Sequence, residues 1–103
     1  MKVYISGKIT GEPRYKEMFA EAEGTLRAQG YDVVNPAGKD ELEGEGHTWE
    51  EYMRHNIGLL VQCDGIYLLK NYCESQGALL ESDIAESLGL WIKHSTSTQS
   101  LAV

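Results

Sequence analysis

The chain is poor in cysteine, proline and basic residues, and it has no long hydrophobic run. Its 103 residues include two cysteines, two prolines and nine Lys and Arg against sixteen Asp and Glu, giving a formal net charge of −7. This acidic balance argues against binding a nucleic acid polymer, which requires clustered cations. No signal-like or membrane-length segment is present, and two cysteines suit a reduced compartment. We therefore expect no membrane partner and a cytoplasmic location.

Histidine is also scarce, which bears on metal binding. His47, His55 and His94 lack the spacing of metal ligands. We expect no metal site and no cofactor. The length, the 42% hydrophobic content and the lack of a Pro/Ser-rich linker fit one compact domain. The acidic composition does not exclude binding of a small anionic ligand, because a few backbone amides can hold a phosphate on an acidic protein.

Strand and helix patterns alternate along the chain. Predicted strands cover residues 2–6, 31–35, 65–69 and 90–92, and predicted helices cover about 13–30, 48–63 and 76–88. This order predicts an α/β fold, a doubly wound parallel sheet of about four strands with helices on both faces. Residues 1–93 are predicted to form the domain, and residues 94–103 are predicted to be a flexible tail.

The last predicted helix carries a carboxylate at an apolar position. Its apolar arc consists of Ala78, Leu80, Ile84, Ala85 and Leu88, and Glu81 lies near the middle of that arc. A carboxylate that faces a core must find partners, become protonated or serve a site. A structural glutamate bound to a backbone amide or an arginine is the plain alternative. Asn56 is a second polar residue on a predicted buried helix face.

Several features converge at the carboxyl ends of the predicted strands, where doubly wound sheets bind ligands. The loops 7–11 and 70–76 both open there. Gly7 and Gly11 permit close backbone approach, and the amides at the start of the Ser75 helix attract anions. The glycine spacing matches neither the dinucleotide fingerprint nor a Walker A loop. The pattern predicts an anion-binding crevice with Glu81 beneath it.

Three motifs together resemble the nucleoside 2-deoxyribosyltransferase-like superfamily. They are YISGKITG at residues 4–11, Asn56 followed by Cys63-Asp64, and S-x-G-x-x-x-E-x-x-x-A at residues 75–85. The resemblance covers residues 2–92. It implies the doubly wound fold, a homodimer or larger assembly, and a glutamate nucleophile that attacks the anomeric carbon of a 2-deoxyribose. By that match Glu81 is the nucleophile, and Tyr4 lies beside it.

Within this superfamily, the residue at position 75 separates two groups of enzymes. Those that act on free nucleosides have an aspartate there, whereas the 2′-deoxynucleoside 5′-monophosphate N-hydrolases have a serine that contacts the phosphate. Serine at this position implies a small-molecule deoxynucleotide as substrate. The resemblance assigns substrate and phosphate binding to Ser6, Gly7, Lys8, Ile9, Thr10, Gly11, Ser75 and Gly77.

The chain departs from the pattern of the hydrolases at two positions. Thr10 replaces an arginine, so Lys8 or Arg14 would have to neutralise the phosphate. Asn56, the third predicted catalytic residue, replaces an aspartate that helps to protonate the departing base. An amide can donate a hydrogen bond but cannot act as a general acid, and losing such a proton transfer typically removes about 10²- to 10⁴-fold in rate.

The expected function is cleavage or exchange of the N-glycosidic bond of a 2′-deoxynucleoside 5′-monophosphate through a deoxyribosyl-glutamate intermediate. The alternative is a non-catalytic nucleotide-binding module on the same fold. A flavodoxin-like signalling domain fits less well, because Asp32 and Asp64 lie at or before the starts of predicted strands instead of at their ends.

Overall fold

The computed structural model describes residues 1–95, and residues 96–103 of the predicted tail lie outside the described part. Strands and helices alternate. In chain order the elements are β1 (Lys2–Ser6), α1 (Tyr15–Ala28), β2 (Asp32–Val34), α2 (Trp49–Leu60), β3 (Gly65–Leu68), α3 (Gln76–Ser87) and β4 (Trp91–His94), with a 3₁₀ turn at Tyr72–Glu74 before α3. No helix within residues 1–95 has the length and apolarity to cross a membrane.

All four strands are parallel, in the order β2-β1-β3-β4. The chain leaves β1 toward β2 on one side and leaves β3 toward β4 on the other. The strand order therefore reverses between β1 and β3, where Ser6 pairs with Leu68 in the register. This is the position at which doubly wound sheets bind ligands. The predicted fold class is confirmed.

Helices cover both faces of the sheet. Successive side chains of β1 point to opposite faces. Val3 and Ile5 pack in one buried cluster with Phe19 of α1. Tyr4 packs in the other with Leu60 of α2 and with α3. Because β1 is buried on both faces, Val3, Tyr4 and Ile5 form an unbroken apolar run between Lys2 and Ser6.

Several predicted boundaries shift in the structure. Helix α1 begins at Tyr15, so Pro13 lies in the turn before the helix instead of in its first turn. Helix α2 ends at Leu60, three residues before the predicted end. Strand β4 extends to His94, so the predicted domain limit after residue 93 falls inside a strand. The amide of Ser95 also donates to the carbonyl of Leu68 at 2.8 Å.

The late start of β4 follows from the way α3 ends. The amide of Leu90 donates to the carbonyl of Ala85 at 2.9 Å, and the amide of Gly89 donates to the carbonyl of Glu86 at 3.1 Å. This is a Schellman motif with Gly89 at a φ of 71°. Because the Leu90 amide closes the helix, Leu90 is not part of the strand that was predicted to include it.

The predicted apolar arc of α3 is too wide. The buried residues of this helix are Ala78, Glu81 and Ala85. Leu80 and Leu88 are 38% and 55% exposed. The buried stripe consists of two small residues and one carboxylate, so α3 packs against the sheet with Glu81 at the centre of its inner face.

Candidate active site

A cavity of about 250 Å³ lies at the carboxyl end of β1. Its walls come from β1 and the loop after it, from α1, from the segment after β2, from α2, and from α3 with its cap Ser75. Of the predicted site residues, the cavity is lined by Tyr4, Ser6, Gly7, Ile9, Thr10, Asn56, Ser75, Gly77 and Glu81. The other two, Lys8 and Gly11, do not line it.

The carboxylate of Glu81 is bound by two hydroxyl groups. The Tyr4 hydroxyl donates to Oε2 at 2.7 Å, and the Ser6 hydroxyl donates to Oε1 at 2.7 Å. Glu81 itself is 5% exposed. No Lys, Arg or His within residues 1–95 forms an ion pair with it. A purely structural glutamate was expected to bind a backbone amide or an arginine. Glu81 binds neither, and its side chain lines a cavity.

Burial controls the charge of this carboxylate. It raises the pKa of Glu81 from 4.5 to about 7, although the hydrogen bonds from Tyr4 and Ser6 lower it. The pKa of Tyr4 is raised well above 10 by burial and by the charge of Glu81, so its hydroxyl stays protonated and donates. A carboxylate with a near-neutral pKa, facing a cavity, is typical of a nucleophile or a base at an active site.

The start of α3 forms another part of the cavity wall. The Ser75 hydroxyl caps the helix by accepting from the amide of Ala78 at 3.1 Å. The amides of Gln76 and Gly77 have no acceptor within the helix, as is usual for a first turn. A Cβ atom on Gly77 would lie 3.0 Å from Sδ of Met53, so glycine allows α3 to lie close to α2. Donors at a helix start beside a cavity favour an anion.

The loop after β1 is held against the chain that leaves β3. A Cβ atom on Gly7 would lie 2.6 Å from Cδ1 of Leu69, so only glycine fits there. The amide of Leu69 donates to the carbonyl of Ser6 at 2.9 Å, and the amide of Lys8 donates to Oδ1 of Asn71 at 3.2 Å. These contacts fix the backbone of the loop at the edge of the cavity.

The cations predicted to neutralise a phosphate pair elsewhere. Nζ of Lys8 lies 3.3 Å from Oε1 of Glu74, and Nη2 of Arg14 lies 3.3 Å from Oε2 of Glu17. Among the described residues, no Lys, Arg or His lines the cavity. The donors that the cavity offers to an anion are therefore uncharged: hydroxyl groups, backbone amides and side-chain N–H groups.

Asn56 lies inside the buried face of α2, as the sequence predicts. It is 8% exposed, it lines the cavity, and its side chain forms no hydrogen bond with another described residue. Among the described residues, Nδ2 of Asn71 is the only fully buried polar side-chain atom without a partner, so the amide of Asn56 is open to the cavity. Its donor and acceptor are free for a ligand.

Sequence reasoning missed part of the wall. Tyr15 and Phe19 of α1, and Pro36 and Glu41 after β2, line the cavity. Trp49, whose position on the predicted buried face of α2 favoured core packing over contact with a base, is a wall residue that is 42% exposed. Pro36 directly follows the predicted strand 31–35, and parallel strands end at the same edge of the sheet. This position was the signal that could have identified this side of the cavity.

Comparison with known proteins gives a family and a fold. The family described as Domain of unknown function (DUF4406) matches residues 1–94. A solved 2-deoxyribosyltransferase from Bacillus psychrosaccharolyticus is similar at 20% identity and a TM-score of 0.72, over 91% of this chain and 71% of that chain. A solved 2-deoxyribosyltransferase from Leishmania mexicana is similar at 15% identity and a TM-score of 0.67, over 90% of this chain and 62% of that chain. No curated protein matches.

Proposed function

The chain belongs to the DUF4406 family and has the fold of the two 2-deoxyribosyltransferases, and from this we propose that it cleaves or exchanges the N-glycosidic bond of a 2′-deoxynucleoside 5′-monophosphate. In this proposal Glu81 is the nucleophile. The observation that carries it is the carboxylate of Glu81, buried in a cavity wall with each oxygen bound to a hydroxyl group.

The order of groups around the cavity supports a deoxynucleotide. The hydroxyl of Ser75 and the free amides of Gln76 and Gly77 suit a phosphate, since a helix start attracts anions. Glu81 lies about one and a half turns further along the same helix, where the sugar would follow the phosphate. Asn56 on α2 then faces the base.

The first step forms a covalent ester. An ionised oxygen of Glu81 attacks C1′ as the bond from C1′ to the base nitrogen breaks, and the electron pair of that bond goes to the base. The transition state resembles an oxocarbenium ion. This cation forms more easily on a deoxyribose, because no electron-withdrawing 2′-hydroxyl is present. The Tyr4 and Ser6 hydroxyls orient the carboxylate before attack.

The second step releases the sugar. Water attacks C1′ of the ester as the bond from C1′ to the Glu81 oxygen breaks. Glu81 leaves as a carboxylate, the proton of the attacking water passes to solvent, and 2-deoxyribose 5-phosphate is the product. If a second base attacks instead, an exchanged nucleotide forms. Two displacements at one carbon give net retention, as in retaining glycosidases.

Asn56 limits how the base departs. Its amide can donate a hydrogen bond to the developing negative charge, but it cannot transfer a proton. The departing base therefore takes its proton from solvent. This favours a slow enzyme, or one that acts on bases that leave easily.

A non-catalytic nucleotide-binding module is the second candidate, and Asn56 is the observation that favours it. In that case Glu81 accepts hydrogen bonds from the sugar, and the cavity recognises a nucleotide without cleaving it. The two candidates differ in whether free base is released.

Incubation with a panel of deoxynucleotides tests the proposal. We expect free base from the wild-type protein and at least about 10³-fold less from Glu81→Ala, because loss of the nucleophile removes the covalent route. Glu86→Ala, an exposed change on the same helix, is the matched control and should retain activity. Nucleotide binding without base release from the wild type would support the binding module instead. Adding a second free base separates hydrolysis from exchange.

A further inference from the structure

Glu41 is a second carboxylate in the cavity wall. Among the lining residues only Glu41 and Glu81 are acidic. Unlike Glu81, Glu41 lies at the mouth, where its side chain is 39% exposed. The proposed chemistry at C1′ does not use it.

The sheet order separates Glu41 from the helix start that suits a phosphate. Pro36 and Glu41 follow β2, whereas Ser75 follows β3, and β1 lies between these two strands. With strands about 4.8 Å apart, the two ends of the cavity are roughly 10 Å apart. Glu81 reaches the hydroxyls of β1 between them. A nucleotide with its phosphate at α3 and its sugar over β1 therefore directs its base toward Glu41.

The loop that carries Glu41 is fixed by a buried network. Asn35, which is 3% exposed, accepts from the amide of Ala37 at 2.9 Å and donates to Oε1 of Glu23 on α1 at 3.0 Å. The neighbouring Asp40 accepts from the Asn35 amide at 2.9 Å, and its carbonyl oxygen lies 2.9 Å from Nε2 of His55 on α2. The loop is thus anchored to both flanking helices, which sets the position of Glu41.

The carboxylate of Glu41 is available to a ligand. Its nearest charged partner is Lys16, whose Nζ lies 3.7 Å from Oε1, beyond hydrogen-bond distance. A carboxylate is an acceptor at both oxygens and can take two parallel N–H donors. It therefore selects a base edge that presents two adjacent donors.

We propose that Glu41 reads the base and selects guanine. Guanine presents an N–H at N1 and an amino group at N2 side by side, which match the two carboxylate oxygens. Adenine and cytosine present one amino group next to a ring acceptor, and thymine presents one N–H between two carbonyl oxygens that the carboxylate repels. This inference rests on the proposed orientation of a nucleotide substrate.

The test compares the binding of two nucleotides that differ in one group. The 2′-deoxynucleoside 5′-monophosphates of hypoxanthine and guanine share N1–H, but only the guanine nucleotide has the N2 amino group. We expect the wild-type protein to bind the guanine nucleotide about tenfold more tightly by calorimetry, the size of a good base contact. Glu41→Gln should reduce this ratio to less than about threefold, because the amide nitrogen cannot accept.

Glu43→Gln is the matched control, since Glu43 lies on the same loop, is exposed and does not line the cavity. It should keep the wild-type ratio. Equal binding of the two nucleotides by the wild type, no binding of either, or a ratio unchanged by Glu41→Gln would overturn the inference. The readout is binding and does not depend on cleavage. If the proposed cleavage fails but this inference holds, the protein will prefer the guanine nucleotide without releasing free base.

Discussion

At the scale of single residues, the proposed activity depends on the chemistry of Glu81. A glutamate on the inner face of a helix normally pairs with a cation or leaves the core, and here it binds two hydroxyls and lines a cavity. Burial holds its pKa near neutrality, while the hydroxyls keep the charged form accessible. The same carboxylate is therefore available both as an anion for attack and as a group sensitive to pH.

The pH dependence of turnover follows from this pKa. Only the ionised form of Glu81 is nucleophilic, so kcat/KM should fall as the pH drops below about 7 and level off above it. Tyr4→Phe removes a hydrogen bond that favours the ionised form, so the midpoint of its profile should move to higher pH. Initial rates of base release between pH 5 and pH 9 measure both midpoints. A flat wild-type profile, or a midpoint for Tyr4→Phe at lower pH, would be inconsistent with this role.

At the scale of elements, the caps and the strand ends position the site, and local signals in the sequence predict them well. Thr48 and Glu51 form both hydrogen bonds of the predicted capping box, at 3.1 and 2.7 Å. Ser75 caps α3 as predicted. Each of these patterns needs only neighbouring residues, so the sequence contains the whole signal.

Features that depend on tertiary contacts were harder to predict. The exposure of Leu80 depends on how much of α3 the small sheet covers. The pairing of Lys8 with Glu74 joins residues that are far apart in the sequence, as does the anchoring of Asp40 that positions Glu41. The inward position of Glu81 was predictable from helical periodicity, and the family resemblance placed Tyr4 beside it. The Ser6 hydroxyl became visible as the second partner only once β1 and α3 were packed together.

The start of α3 gives a prediction that separates capping from ligand binding. Aspartate caps helices about as well as serine, so Ser75→Asp should change the free energy of unfolding in urea by less than about 0.5 kcal/mol. The added carboxylate repels a phosphate, so binding of a deoxynucleoside monophosphate should weaken by about tenfold or more. Binding of the matching nucleoside should not weaken. Equal losses for both ligands would argue against a phosphate at Ser75.

At the scale of the whole molecule, the outer face of α3 leaves apolar surface uncovered. Leu79 and Leu80 are 41% and 38% exposed on this helix, and Leu88, directly after the helix, is 55% exposed. Exposed leucines on the helix that carries Glu81 are typical of a contact between subunits. We propose that the chain forms a homodimer through α3.

Native mass measurement tests this proposal. The wild-type protein should have twice its chain mass of 11.5 kDa at micromolar concentration. Leu80→Glu places a charge in the proposed interface and should shift the protein to the monomer, whereas Ala20→Glu, an exposed change on α1 at the other face of the sheet, should leave the dimer intact. A wild-type monomer would refute the proposed interface.

A covalent bond between Glu81 and the sugar is visible in the mass of the acid-quenched protein. After brief incubation with a deoxynucleotide that the protein cleaves, we expect an adduct with the mass of a 2-deoxyribosyl 5-phosphate group on the peptide that contains Glu81. Two results would be inconsistent with a Glu81 nucleophile: an adduct on another residue, or release of base from Glu81→Ala at the wild-type rate.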